Sequence, residues 1–267
     1  MSKKIHDPLE EITADGNIVT GASKSKLVAE FSPILDEVLK HFASSKKDVS
    51  LYIYGSVATG TARVSESDVD LFTLGLDGGI AKDLSKKLSE KYSELCRAVE
   101  IQPSQYSAFS GSDDESYGNR VFLRHYCVHL SGPDFKNQFP DYPADTAAAR
   151  GFNGDIGIFY KNWIEELQQI DEFALLGRRI ARKTLLAISG LVSIHDKIWT
   201  TDRIVSAQRW AQAVPELKLD LCRLAAWSSE KNLSISKAEV YEMLSGTIAK
   251  IVEDFSKQIG LWKTVGV

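Results

Sequence analysis

Two aspartates one residue apart, Asp68 and Asp70, stand in the run Ser67-Asp-Val-Asp-Leu71. They follow, after a short loop, the run Leu51-Tyr-Ile-Tyr-Gly-Ser56. In a strand, residues i and i+2 point to one face, so the two carboxylates project together. Paired carboxylates are hard oxygen donors, and beside a Gly-Ser turn they make a seat for Mg2+ and a nucleoside triphosphate. Gly55 lets the chain turn sharply at the strand end. Ser56 and the backbone N–H groups near it can then bond phosphate oxygens. Arg63, in the intervening loop, could meet the triphosphate charge. Such a site needs a third acidic group, to complete coordination or to accept a proton. Glu100, in Ala98-Val-Glu-Ile101, suits that role because it falls on the next predicted strand, and a rigid element places a side chain accurately.

These side chains need strands beneath them. Ser50–Tyr54 reads as the first strand, Val69–Leu74 as the second and Val99–Gln102 as a third. Helical spacing runs over 81–98 through Leu84, Leu88, Tyr92 and Leu95. A further helix is expected from Ser23 to about Phe42, with residues 44–48 as the loop after it. Residues 1–21 are polar and read as partly loose. Residues 110–118 read as a polar loop and Val121–Leu130 as a β-rich run. His125, Cys127 and His129 alternate along that run and could share one face. No fourth metal ligand is apparent there, so packing is the plainer account. Asp113-Asp-Glu115 reads as a solvated loop, with an acidic cleft as the sharper alternative. Residues 133–152, holding Pro133, Pro140 and Pro143, read as a linker or a loop covering a site. Beyond Asp155 comes helix after helix, over 156–175, 177–197, 201–213, 216–230 and 236–260. Pro215 suits a first helical turn, and Ser234 or Ser236 the cap of the last helix. The expected class is α+β, with a mixed sheet flanked by helices over 1–152 and an all-helical bundle over 153–267.

The chain of 267 residues is 43% hydrophobic, ample for one large core or two ordinary ones. A net charge of −4 argues against a partner held by bulk positive charge, nucleic acid above all. The largest basic patch, Arg178, Arg179, Arg182 and Lys183, has the spacing of one helix face and reads as solvated or as a phosphate contact. The three cysteines form no CxxC pair and no disulfide framework, which makes a reduced, cytoplasmic setting the default. The first residues lack the apolar stretch of a signal peptide. No run of about 18 apolar residues exists to cross a membrane, so no membrane partner is expected.

The pattern Tyr54-Gly-Ser56 with Gly60, then Ser67-Asp-Val-Asp-Leu71, then Arg97-Ala-Val-Glu100 ahead of a β run, resembles the DNA polymerase β-like nucleotidyltransferase superfamily. More narrowly it is similar to the bacterial aminoglycoside nucleotidyltransferases of the streptomycin/spectinomycin adenylyltransferase type. The likeness of motif covers about residues 50–102, and a helical C-terminal half fits its layout. The resemblance implies that 1–152 is a nucleotidyltransferase domain. It implies that Asp68 and Asp70 bind two Mg2+ ions, with Glu100 completing the metal set. ATP as co-substrate would meet Gly55, Ser56, Arg63 and the two aspartates. Glu100 would be the catalytic base on an acceptor hydroxyl, whose oxygen attacks the α-phosphorus as pyrophosphate leaves. The implied acceptor is a small molecule, with an aminoglycoside antibiotic, and so antibiotic resistance, as one outcome. The family usually has a Gly-Gly pair in the loop and a proline before the Ser-Asp. This loop instead reads Thr59-Gly-Thr-Ala-Arg-Val-Ser-Glu66. Two other functions share the motifs. One is a transferase that modifies a protein or an RNA, as in toxin–antitoxin pairs; the acidity of the chain speaks against RNA. The other is a non-catalytic nucleotide-binding module, against which the three retained carboxylates argue.

Overall fold

The structure, a computed structural model, describes residues 5–45, 48–230 and 233–263. The loop expected over 44–48 falls partly outside them. The chain forms two compact units. One is Thr20–Tyr142; the other joins the N-terminal segment up to Val19 to the chain from Pro143 on. The N-terminal segment carries the small hairpin β1 (Glu10–Ile12) and β2 (Ile18–Thr20). It is held by buried carboxylates rather than loose. Asp7 accepts a hydrogen bond from the Thr200 hydroxyl at 2.5 Å, and Glu10 accepts from the Thr201 N–H and, at 2.8 Å, from its hydroxyl. A buried carboxylate is tolerable only with such partners in place.

In the unit Thr20–Tyr142, α1 (Ser32–Ser45) buries Ile34, Leu35, Val38 and Phe42. It begins later than the spacing predicts, after two single 3-10 turns. Pro33 is the reason, since proline fits a helix only in its first turn. Then follow β3 (Ser50–Tyr54), α2 (Gly55–Thr59), β4 (Val69–Leu74), α3 (Gly78–Lys91), β5 (Val99–Ser104), α4 (Asp114–Tyr126) and β6 (Val128–Ser131). The sheet runs β5-β4-β3-β6, with β4 and β5 parallel and the other pairs antiparallel. Strand alternation gives it two buried faces. Leu51, Ile53, Val69, Leu71, Val99 and Ile101 share a core with α1 and α3. Tyr52, Phe72 and Leu74 pack instead with Phe109, Leu123 and Cys127, under α4.

The β-rich run expected over Val121–Leu130 is thus split between a helix and a strand. The deciding signal lies upstream. The Asp113 carboxylate accepts from the Ser116 N–H and hydroxyl, both at 2.8 Å, and so caps α4. Asp114 and Glu115 fill its first turn, where negative charge is favoured. His125 is therefore helical and accepts the Tyr142 N–H at Nε2, whereas His129 sits on β6 against the Tyr52 ring. They share no face.

The exposed edge of the sheet, β5, is covered from α3. The Ser89 hydroxyl accepts the Val99 N–H at 2.8 Å and the Ser85 hydroxyl accepts the Ile101 N–H at 3.0 Å. Pro103, next in that alternation, has no N–H to offer.

The other unit is helical. It contains α5 (Thr146–Asn153), α6 (Ile156–Glu166), α7 (Phe173–Asp196), α8 (Arg203–Ala213), α9 (Lys218–Ser229), α10 (Lys237–Met243) and α11 (Ala249–Gln258). A π-helical turn, Leu244–Ile248, joins the last two. The stretch expected as a linker holds α5, capped by Asp145. Ser236 and Glu239 form the capping box of α10. Helix α7 is central and packs against α5, α8, α9 and α11. Trp163, Trp199, Trp210 and Trp227 are buried, and the Trp262 indole donates to the Arg150 carbonyl at 2.7 Å. The basic patch is spent on internal contacts. Arg178 donates to the Glu230 carbonyl, Arg182 to that of Ser228, Arg179 pairs with Glu166, and Lys183 pairs with Asp155 at 2.6 Å. No described helix is long and apolar enough to cross a membrane.

Candidate active site

Register across the sheet sets three polar side chains in a row. Tyr54 on β3 pairs with Asp70 on β4, and Asp70 pairs with Glu100 on β5. Paired residues of adjacent strands share a face, so the three project together. Asp68 stands two residues before Asp70. Backbone bonds from Val69 N–H to the Ala98 carbonyl (2.9 Å) and from Arg97 N–H to the Ser67 carbonyl (3.0 Å) bring Arg97 beside it. The Arg97 Nε then donates to Asp68 Oδ1 at 2.9 Å, and its Nη2 to Oδ2.

The carboxylates are close enough to feel one another. Burial, followed by the charges of Asp68 and Glu100, pushes the Asp70 carboxyl up to about 6, against the pull of Arg97. Burial, followed by the charges of Asp70, Cys127 and Glu100, drives the Tyr54 hydroxyl well above its ordinary value. Its ring rests edge-on against Phe122, with centroids 5.0 Å apart. A cavity of about 310 Å3 opens beside Glu100, lined in part by Tyr54, Lys82, Gln102 and Pro103.

Gly55 makes the turn between β3 and the site. Its φ of +69° lies in the left-handed region, and a Cβ there would collide with Asp70 Oδ2 and come within 3.2 Å of Asp70 Cγ. Ser56 follows in the first turn of α2, and its carbonyl accepts the N–H groups of Thr61 (3.0 Å) and Ala62 (3.1 Å). Gly55→Ala is therefore expected to cost about 2–4 kcal/mol, through backbone strain and displacement of Asp70. Urea unfolding measures it, and a loss below about 0.5 kcal/mol would contradict the contact.

The structure brings together Gly55, Ser56, Asp68, Asp70 and Glu100. Arg63 is exposed and pairs with Glu66 at 3.6 Å. Tyr54 and Arg97, which stand in the motif segments but carry no assigned role there, join the site. Alternation along β3 carries a hint of Tyr54, but the fork on Asp68 depends on contacts across strands.

An oxygen-only set of three carboxylates suits a divalent cation such as Mg2+. The upward shift of Asp70 comes first from burial and then from the charges of Asp68 and Glu100, and a bound cation would offset both. Chemically, then, Asp68, Asp70 and Glu100 fit the metal. Among the described residues no three His, Cys, Asp or Glu side chains already converge as a cage, and both Asp68 oxygens are engaged by Arg97.

Residues 35–102, from α1 through most of β5, match the family described as the nucleotidyltransferase domain. That stretch, and not the whole chain, is what the nucleotidyltransferase match covers. The matched stretch contains Gly55, Ser56, Asp68, Asp70, Arg97 and Glu100. The chain is also similar to a solved structure, spectinomycin adenyltransferase AAD(9) from Enterococcus faecialis with ATP and spectinomycin. Identity is 12% and the TM-score 0.54, over 85% of this chain and 98% of that one. The likeness is one of fold, and it reaches well beyond the nucleotidyltransferase domain. No curated protein matches the sequence. The α+β class and the resemblance to polymerase β-like nucleotidyltransferases are borne out, and with them an enzyme of the nucleotidyltransferase class.

Proposed function

We propose that this enzyme transfers AMP from ATP to a hydroxyl of a small molecule, with spectinomycin-like and aminoglycoside antibiotics as the first acceptors to test. The observation that carries the reading is the row of Asp70 and Glu100 beside Asp68, set at a Gly-Ser turn in a nucleotidyltransferase domain. The similar adenyltransferase, solved with ATP and spectinomycin, supports both the donor and the acceptor class. Asp68, Asp70 and Glu100 are assigned to hold Mg2+, taken as two ions. The metal supplies stabilisation of the charge that develops on the phosphoryl and leaving oxygens.

The other roles belong to the chain. The Ser56 hydroxyl donates to a phosphate oxygen of ATP, at a turn only glycine can make. Glu100 takes the proton from the acceptor hydroxyl. It is exposed at the rim of the sheet, where an incoming hydroxyl can reach it. Asp70, between Tyr54 and Glu100, fixes the charge of the centre. The donor half of the reaction thus falls within the unit Thr20–Tyr142.

The test is pyrophosphate release from ATP and Mg2+ over a panel of acceptors that includes spectinomycin and streptomycin. Release that depends on an acceptor, with one adenylyl group added to that acceptor, is the expected result. Label that passes from ATP to macromolecules of a lysate would move the acceptor to a protein or an RNA. No release with any acceptor would overturn the reading.

A further inference from the structure

The strongest polar contact of the centre joins Asp68 to Arg97, a residue with no role in the reaction described above. The guanidinium engages both carboxylate oxygens, the two-pronged geometry in which arginine holds a carboxylate best. Its side chain is 52% exposed, while that of Asp68 is 15% exposed. The head of Arg97 is thus free to swing into solvent, and the carboxylate is not. The backbone bonds of Arg97 and Val69 keep the stem beside Asp68 whichever way the head lies. Among the described residues the guanidinium hydrogen-bonds only Asp68. Its charge also acts on Asp70 and Glu100, so one cation serves all three carboxylates.

We propose that Arg97 is a positioning residue that occupies the cation's place on Asp68 and is displaced when a divalent ion binds. This rests on the reading of Asp68, Asp70 and Glu100 as the metal-holding set. Arg97 keeps Asp68 neutralised and oriented in the metal-free protein, and the ion must compete with it. Metal affinity is therefore lower than the three carboxylates alone would give. Because Arg97 leaves its partner as the ion arrives, occupancy of the centre is tied to a side-chain exchange.

The experiment is a titration of the full chain with Mn2+ alone, read as free Mn2+ by electron paramagnetic resonance. Arg97→Met is expected to bind Mn2+ about three- to tenfold more tightly than wild type, the range open to a partly exposed two-pronged pair. Arg97→Lys, which keeps the charge but loses the fork, is expected to fall between them. If Arg97→Met does not fold, tighter binding by Arg97→Lys carries the test. The metal-free melting temperature of Arg97→Met should fall and recover with Mn2+. A merely structural arginine would lower that temperature without tightening Mn2+ binding. Equal or weaker binding by the folded variants overturns the inference and leaves the metal site standing. No Mn2+ bound by wild type, by either variant, or by all three alike with Asp68→Asn, overturns the metal site and this inference with it.

Discussion

Asp70→Asn is expected to abolish nucleotidyl transfer and, at neutral pH, to make the metal-free protein more stable. The two effects have one origin. The folded protein lifts the Asp70 carboxyl from an ordinary 3.8 to about 6. Between those values the folded chain holds a proton that the unfolded chain has lost. Stability therefore falls as pH rises through this window, and the loss is complete above about pH 6. An amide of the same shape carries no charge to repel Asp68 and Glu100. After allowance for partial exposure, the gain at neutral pH is about 1–2 kcal/mol. Activity should fall by roughly 10³-fold or more, because the amide is a poor ligand for a hard divalent ion. Melting curves in chelator across the acid range, beside pyrophosphate release, check both halves. A variant less stable than wild type at neutral pH would refute the penalty on this buried, crowded charge. A variant that turns over normally would refute the metal site.

Glu100→Gln removes the proposed base and one of the three proposed metal donors together. Removing a general base commonly costs about 10²–10⁴-fold in kcat. Glu100 is exposed at the rim of the sheet, so stability should stay within about 0.5 kcal/mol of wild type. Steady-state kinetics at saturating Mg2+ and ATP should show the loss in kcat. A variant with unchanged kcat would move the base elsewhere.

What the sequence disclosed was the part set by short-range rules. Period-two alternation places Ser50–Tyr54 and Val69–Leu74 as strands, and the glycine and carboxylates at their ends follow from chemistry that tolerates few other residues. Side chains whose role depends on a neighbouring strand were beyond reach. Tyr54 enters the site because β3 and β4 pair in one register, and Arg97 because its backbone bonds Ser67. Residues 103–142 follow no motif, yet α4 and the aromatic residues around it form the cover of the sheet face that bears Asp70. The N-terminal segment looked loose because its partners, Thr200 and Thr201, lie more than 190 residues away in the chain. Val121–Tyr126 looked like strand because β-branched and aromatic content outweighed a cap eight residues earlier at Asp113.

The serine-covered rim at β5 bears on assembly. An open sheet edge is a template on which an extended peptide or a second copy can zip. Here Ser85 and Ser89 take up the outward N–H groups of Ile101 and Val99, and Pro103 has none. The edge nearest Glu100 therefore lacks the free N–H groups that a growing sheet would use. A molecule that settles along that rim finds the N–H groups of Val99 and Ile101 already engaged. It meets Lys82, Gln102 and Tyr54 in the cavity there, so side chains and not main-chain donors recognise it.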